Sequence, residues 1–311
     1  MKDLKVVFMG TPDFAVPVLN SLIENTNVVM VVTQPDKEVG RKKELTPPPI
    51  KKVALEHGIE VFQPVKLKEE INKIIEVKPD IIITCAYGQI LPEHLLMSPD
   101  LGCINVHASL LPEYRGGAPI HRCLIDGAEK TGITIMYMDK KMDTGNIINS
   151  KEYIITDEDN VGTLHDKLSV MGAELLIKTL PKIIDGTNFS IKQDDELATY
   201  AYNITREDEH IDFNKTSKEV WNQVRGLNPW PLANTIIADN EVKVITCHIG
   251  EKLSDASPGT ISVLNKKELG IQTSDGIIYL DRVKPFGKKE MDIIDYINGL
   301  DKERVLYSIV K

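Results

Sequence analysis

Residues 4–33, LKVVFMGTPDFAVPVLNSLIENTNVVMVVT, decide the fold. Leu4 to Met9 is a short apolar run and reads as a buried strand, since a strand covered on both faces needs no polar alternation. Phe14 to Glu24 carries helical spacing, with Asp13 before it as the expected cap. Val28 to Thr33 is again short, apolar and β-branched, and predicts a second strand. Strand, helix and strand in so short a span imply a parallel βαβ unit. The alternation continues outward. Val53 to His57 lies in a helical pattern that ends at Gly58, Glu60 to Phe62 is a brief strand, Lys68 to Val77 a helix, and Asp80 to Ala86 and Cys103 to His107 are strands. The expected class is α/β, a doubly wound sheet, whose ligands sit outside the carboxyl ends of the strands.

Two further strands are expected at Gly132 to Met138 and Ile147 to Ile155, joined by a turn at Asp143, Thr144 and Gly145. Val161 to Ile184 reads as a long amphipathic helix. The composition then turns polar from Asp185 to Glu209, as in a linker. Ser217 to Arg225 is a short helix, and from Ile236 to Val283 short β-type runs are broken by Gly, Asn and Asp. That pattern suggests a small all-β domain, a barrel. The expected division is a catalytic domain over 1–189, a linker over 190–207 and a C-terminal domain over 208–311.

Composition narrows the function classes. With 311 residues the chain is long enough for two ordinary domains. No stretch approaches the ~20 apolar residues of a membrane helix. Met1 to Gly10 run directly into a core strand, so a secretory leader is not expected and the cytoplasm is. Cys85, Cys103, Cys123 and Cys247 form no Cys-x-x-Cys pair and read as reduced, buried residues. The histidines show no ligand spacing, so no metal is expected. A net charge of −9 argues against broad nucleic-acid binding, but the charge is uneven. Lys37 to Lys52 holds six positives (Lys37, Arg41, Lys42, Lys43, Lys51, Lys52) against Glu38 and Glu44, in a loop broken by Pro35, Gly40 and Pro47 to Pro49. Arg282, Lys284, Lys288 and Lys289 form a second basic run. By themselves both read as solvated faces.

The stretch richest in chemistry is Cys103 to Pro119, CINVHASLLPEYRGGAP. Asn105 and His107 are two apart on an expected strand and so share a face. An amide that donates and an imidazole that moves protons suit acyl transfer, where a carbonyl oxygen gains negative charge. Asp143, in its turn, could reach the same sheet edge and orient the ring. Each residue also has a plainer reading: His107 as a satisfied structural histidine, Asp143 as a turn former, Arg115 as part of a surface loop.

The order Asn105-Val106-His107-Ala108-Ser109-Leu110-Leu111-Pro112, Arg115-Gly116, Asp143-Thr144-Gly145 resembles the active-site signature of the folate-dependent formyltransferases. Within that superfamily, other segments resemble the methionyl-tRNA formyltransferase family. These are Phe8 to Ala15, Thr33 to Lys37 with Gly40, Arg41 and Pro48, Ala86 to Pro92, Thr199 to Ala201, Ile211 to Phe213 and Arg225 to Pro231. The likeness covers nearly the whole chain and weakens after Pro231. It implies a Rossmann-like doubly wound formyltransferase domain followed by a small OB-like β-barrel. It implies 10-formyltetrahydrofolate as formyl donor, with no metal, and methionyl-initiator tRNA as acceptor, handled by a monomer away from membranes. Asn105, His107 and Asp143 would be catalytic. Ser109, Leu110, Leu111, Pro112, Tyr87, Gly88 and Ile90 would lie on the folate side. Arg41, Lys42 and Lys43, with Arg282, Lys284, Lys288 and Lys289, would meet tRNA phosphates. Arg115 would meet a phosphate or carboxylate, or be a surface residue.

The sequence departs from the family pattern at Glu113 and Tyr114, where a basic residue and Trp are usual, at Asn146, where an acid is common, and at Lys140 and Lys141, where Gly-Leu is usual. These bear on charge at the pocket edge. Three rival readings remain: a formyltransferase for a small amine, a non-catalytic RNA- or nucleotide-binding module, and a nicotinamide enzyme. The last lacks its fingerprint, since Gly10-Thr11-Pro12-Asp13-Phe14 is not Gly-x-Gly-x-x-Gly.

Overall fold

The computed structural model describes residues 1–40, 42–251 and 255–310, and the elements below are those of the described residues. The chain forms two compact units, neither of them one continuous stretch. Met1–Pro119, Lys130–Ile154 and His165–Ala201 make the first, and Ile120–Glu129, Ile155–Leu164 and Tyr202–Lys311 the second.

The strands in chain order begin with β1 (Lys5–Gly10), β2 (Asn27–Val32), β3 (Lys37–Val39), β4 (Glu44–Thr46), β5 (Glu60–Phe62), β6 (Ile81–Cys85), β7 (Cys103–His107), β8 (Lys130–Tyr137) and β9 (Ile147–Ile154). In the first unit the main sheet has the order β5-β2-β1-β6-β7-β8-β9. It is parallel from β5 to β7, and β8 and β9 add antiparallel. From β1 the chain winds outward through β2 to β5, then returns to the other side of β1 at β6. The switch point thus lies between β1 and β6, where doubly wound sheets bind their ligands. Val6 to Met9 and Ile81 to Ile83 are wholly buried, which explains their lack of polar alternation. Burying each such side chain contributes about 1.5–3 kcal/mol.

Several elements differ from expectation. Asp13 does not cap the first helix. It opens a 3-10 turn, Asp13–Ala15, and the helix proper runs Val16–Asn25 without a side-chain cap. Pro17 in its first turn explains the start, because proline's fixed φ suits that position and its missing N–H is not needed there. The helix expected over Lys68 to Val77 is two pieces, Leu67–Glu70 and Asn72–Glu76. The basic loop after β2 holds a small antiparallel hairpin, β3 with β4.

The polar stretch that composition assigns to a linker over 190–207 is structured at its start. Ile191 exchanges backbone hydrogen bonds with Ile147 at 2.8 Å in each direction, and Ala201 N donates to the Arg115 carbonyl at 2.7 Å. Polar side chains do not prevent this, because the ordering is done by backbone groups.

In the second unit the strands are β10 (Ala233–Ile237), β11 (Asn240–Gly250), β12 (Ile261–Leu264), β13 (Leu269–Gln272), β14 (Ile277–Pro285) and β15 (Met291–Asp292). They form an antiparallel sheet in the order β10-β11-β14-β13-β12, with β15 on β14. The expected small β domain is therefore an antiparallel half-barrel. Its core gathers Val242, Val244, Leu280 and Val283 with Val220 and Val224 of the helix Ser217–Gly226. That helix starts with a capping box: Thr216 accepts from Glu219 N, and the Glu219 carboxylate accepts from Thr216 N.

Candidate active site

Asn105 and His107 lie on β7, which is hydrogen-bonded to β6 on one side and β8 on the other. In the parallel register, Thr84 of β6 stands opposite Asn105. The buried Thr84 hydroxyl donates to Asn105 Oδ1 at 2.8 Å. An amide has one acceptor and one donor end. With the oxygen held by Thr84, the Asn105 nitrogen is the donor end left over. Thr84 is thus a site residue that pattern reading missed, because its signal is a cross-strand register and not a spacing.

His107 is 6% exposed. Its Nε2 lies 3.0 Å from the Tyr114 carbonyl. A carbonyl only accepts, so that ring nitrogen carries the hydrogen. Nδ1 faces Asp143 Oδ2 at 3.7 Å, beyond hydrogen-bond length but within ion-pair reach. The same Asp143 oxygen accepts from Gly116 N at 2.8 Å. The structure therefore gathers all three residues singled out for catalysis at one sheet edge. It also ties Nε2 of His107 to a protein acceptor and turns Nδ1 toward the Asp143 carboxylate, which the sequence did not indicate. Because Tyr114 acts through its backbone carbonyl, the departure from Trp at that position leaves the contact intact.

The loop after β7 is internally braced. The Ser109 hydroxyl donates to the Glu113 carbonyl at 2.6 Å, Thr134 Oγ1 donates to the Ser109 carbonyl at 2.7 Å, and Leu111 N donates to Thr134 Oγ1 at 3.1 Å. Ser109 is fully buried and Leu111 is 7% exposed, while Leu110 and Pro112 are partly exposed. The loop after β6 divides in a similar way, with Tyr87 buried and Gly88 and Ile90 exposed. At the switch point, Thr11 Oγ1 and Gln34 Nε2 both donate to the Tyr87 carbonyl, at 3.0 and 3.1 Å. Thr33 and Tyr87 carry buried hydroxyls that have no hydrogen-bond partner among the described residues. Burial raises the Tyr87 phenol's pKa above its usual range. A buried hydroxyl left unpaired costs about 1–3 kcal/mol.

Arg115 is neither a surface residue nor free for a phosphate. It is 2% exposed, and its guanidinium donates to Gln193 and Asp195. Of the basic residues, Arg41 lies outside the described residues. Lys42 and Lys43 sit exposed in the turn between β3 and β4. At the base of that hairpin, hydrogen bonds from Gln63 and then Lys51 hold the Asp36 carboxyl below its usual pKa. Arg282 pairs with Glu290 at 2.6 Å and Asp292 at 3.6 Å, so its charge is largely answered. Lys284, Lys288 and Lys289 are exposed. The four cysteines are free and buried.

Comparison with known proteins gives this geometry a lineage. Residues 4–180 match the formyl transferase family and residues 203–301 the formyl transferase C-terminal domain family. A methionyl-tRNA formyltransferase of Staphylococcus epidermidis is 55% identical over 304 residues, covering 97% of this chain and 98% of that protein. One of Staphylococcus aureus is 52% identical over 298 residues, covering 95% and 96%. Among solved structures, the sugar 3N-formyl transferase WlaRD, described in the presence of dTDP and 5-N-formyl-THF, superposes with a TM-score of 0.68 at 22% identity, over 93% of this chain and 100% of that one. HypX from Aquifex aeolicus, in complex with tetrahydrofolic acid, gives 0.64 at 14% identity, over 99% and 49%. At such identities these structures speak for the fold alone. Two matched domains and more than half of all residues shared end to end settle the lineage: the chain belongs to the methionyl-tRNA formyltransferase family.

Proposed function

We propose that this chain transfers the formyl group of 10-formyltetrahydrofolate to the amino group of methionyl-initiator tRNA. The observation that carries the reading is the edge of β7, where Thr84 leaves Asn105 a free donor and His107 stands between the Tyr114 carbonyl and Asp143. The tRNA acceptor is supported by relatives of that name aligned over almost their whole length. The folate donor is supported by membership of the family and by the folate compounds named in the fold neighbours.

In this mechanism the neutral amine attacks the formyl carbon, and charge grows on the formyl oxygen. The Asn105 amide nitrogen donates to that oxygen. His107 Nε2–H, resting on the Tyr114 carbonyl, is the second donor and is shared with the substrate oxygen as its charge develops. Loss of one such donor costs roughly 3 kcal/mol in acyl transfer. Asp143 faces the ring at Nδ1 and helps remove the proton from the attacking amine. Collapse of the tetrahedral intermediate then breaks the bond between the formyl carbon and the donor nitrogen, and the removed proton passes to that nitrogen as tetrahydrofolate leaves. Ser109 to Pro112 and Tyr87, Gly88 and Ile90 flank the donor. Lys42, Lys43, Lys284, Lys288 and Lys289, together with Arg41, meet the RNA backbone, while Arg282 is committed to Glu290 and Asp292.

The deciding assay is formyl transfer from 10-formyltetrahydrofolate to methionyl-initiator tRNA, run with wild type and His107→Ala. Transfer that His107→Ala lowers at least 100-fold is expected. Transfer only to small amines such as amino sugars would overturn the acceptor, and full activity in His107→Ala would overturn the site.

A further inference from the structure

Gln193 lies in the stretch that composition reads as a linker, yet it is 5% exposed and its side chain is fully engaged. Its Nε2 donates to the carbonyls of Asp143 at 2.8 Å and Gly145 at 2.7 Å. Its Oε1 accepts from Arg115 Nε at 3.0 Å and Nη2 at 2.9 Å. Arg115 Nη2 also donates to Asp195 at 2.8 Å. We propose that Gln193, fastened by Arg115, is a positioning residue for formyl transfer, which sets the turn from which Asp143 faces His107. The proposal rests on the reading of Asp143 and His107 given above.

The turn needs such a hold. Asp143 has a left-handed backbone, φ +55°, which an aspartate adopts more readily than most residues but still at some cost, so the hydrogen bonds around the turn help to keep it there. At Gly145 the turn passes so close to β8 that an added Cβ would lie 1.8 Å from the Tyr137 carbonyl oxygen. Gln193 donates to the carbonyl of each of these two residues and so spans the turn. The same segment is tied from the other side, since Gly116 N donates to the Asp143 carboxylate and is the residue next to Arg115. Arg115 therefore contributes in two ways: its guanidinium orients Gln193, and its chain neighbour holds the carboxylate. A turn that shifted by about 1 Å would change the approach of Asp143 to the His107 ring, and misplacement of that size can cost about 100-fold in rate. The hydrogen bonds of Gln193 to the turn go to its backbone carbonyls, so its effect on Asp143 is exerted through the backbone.

Gln193→Glu separates the two ends of the side chain. It keeps an acceptor for Arg115 but replaces both N–H donations with an oxygen facing two carbonyls. Steady-state formyl transfer is measured for Gln193→Glu, Asp143→Asn and the double variant, with melting temperatures alongside. The expected result for Gln193→Glu is a kcat about 10- to 100-fold lower, with KM for both substrates within about twofold, and a displaced pH profile of kcat. In the Asp143→Asn background the same change adds less than about threefold, because residues acting as one unit are not additive. Undiminished kcat in Gln193→Glu beside a crippled Asp143→Asn would overturn the positioning role. So would a Gln193 penalty that multiplies in full on top of Asp143→Asn, since Gln193 would then act elsewhere. Full activity in Asp143→Asn would sink the underlying reading of Asp143, and this proposal with it. If Gln193→Glu does not fold, Arg115→Lys provides the second variant. It keeps the charge but loses the two-pronged hold on Gln193 Oε1, and the same pattern of kcat loss without KM change is expected.

Discussion

At the residue scale, the decisive feature is which end of Asn105 is left over. A free side-chain amide offers an acceptor as readily as a donor, and only the donor can stabilise a growing negative charge. The Thr84 hydroxyl, itself buried, takes the acceptor at 2.8 Å. Thr84→Val keeps the shape and removes that hydroxyl. The expected outcome is a five- to tenfold lower rate of single-turnover formyl transfer, the equivalent of one ordinary hydrogen bond of about 1 kcal/mol. Binding of the formyl donor should be little changed. An unaltered rate would mean that Asn105 is oriented by the strand alone.

Elements meet at points where one atom more is too many. The turn at Asp143 to Gly145 can approach β8 only because Gly145 has no Cβ, which would stand 1.8 Å from the Tyr137 carbonyl oxygen and 2.8 Å from its carbon. That obstacle is backbone and cannot rotate away. Gly145→Ala is therefore expected to cost about 1–3 kcal/mol in stability, with a larger fractional loss of kcat than of folate binding, read by denaturant unfolding and by steady-state assay. In the second unit, Arg122 of the helix Pro119–Ile125 grips Asp208 with two hydrogen bonds of 2.9 Å. Hydrogen bonding from Arg122 is the leading cause that lowers the Asp208 pKa to about 2. Its unfolded value is about 3.9, so the contact stabilises above that pH and is lost as the pH falls through about 2. Asp208→Asn should destabilise the protein by about 2 kcal/mol at pH 7. The gap from wild type should shrink when unfolding is followed between pH 4 and pH 2, and an equal gap across that range would rule the contact out.

For the whole molecule, the tension is between a net charge of −9 and an RNA substrate. The resolution proposed is local: exposed lysines are presented on a hairpin turn, on β14 at Lys284 and in the turn that follows it at Lys288 and Lys289, while acidic residues elsewhere set the total. Lys42 and Lys43 extend from a hairpin whose base is braced by Lys51 on Asp36 at 2.7 Å. If both meet phosphates, replacing both with Ala should make the dependence of log affinity for methionyl-tRNA on log salt shallower by about 1.5. The kcat at saturating tRNA should be unchanged. A salt slope equal to that of wild type would remove these two lysines from the interface.

The sequence by itself determined the layers and, through a family resemblance, the class of reaction. Buried strands of the parallel sheet announced themselves as apolar runs, and β7 matched its expected bounds, Cys103–His107. Asn105 and His107 share a face through strand period alone, and the family resemblance brought Asp143 to them. Tertiary structure alone decided what each site atom faces. Thr84, Gln193 and the Tyr114 carbonyl carry no motif spacing. Thr84 enters through strand register, Gln193 through a polar segment that folds back on the turn, and Tyr114 through a backbone group common to every residue type. Arg115 illustrates the limit most sharply. A charged residue beside two glycines reads as surface, and its burial at 2% exposure depends on Gln193 and Asp195, 78 and 80 residues away along the chain. Local pattern reports which side chains prefer to be buried, but a buried charge is tolerated only where distant partners arrive to meet it, and that is decided when the chain is folded.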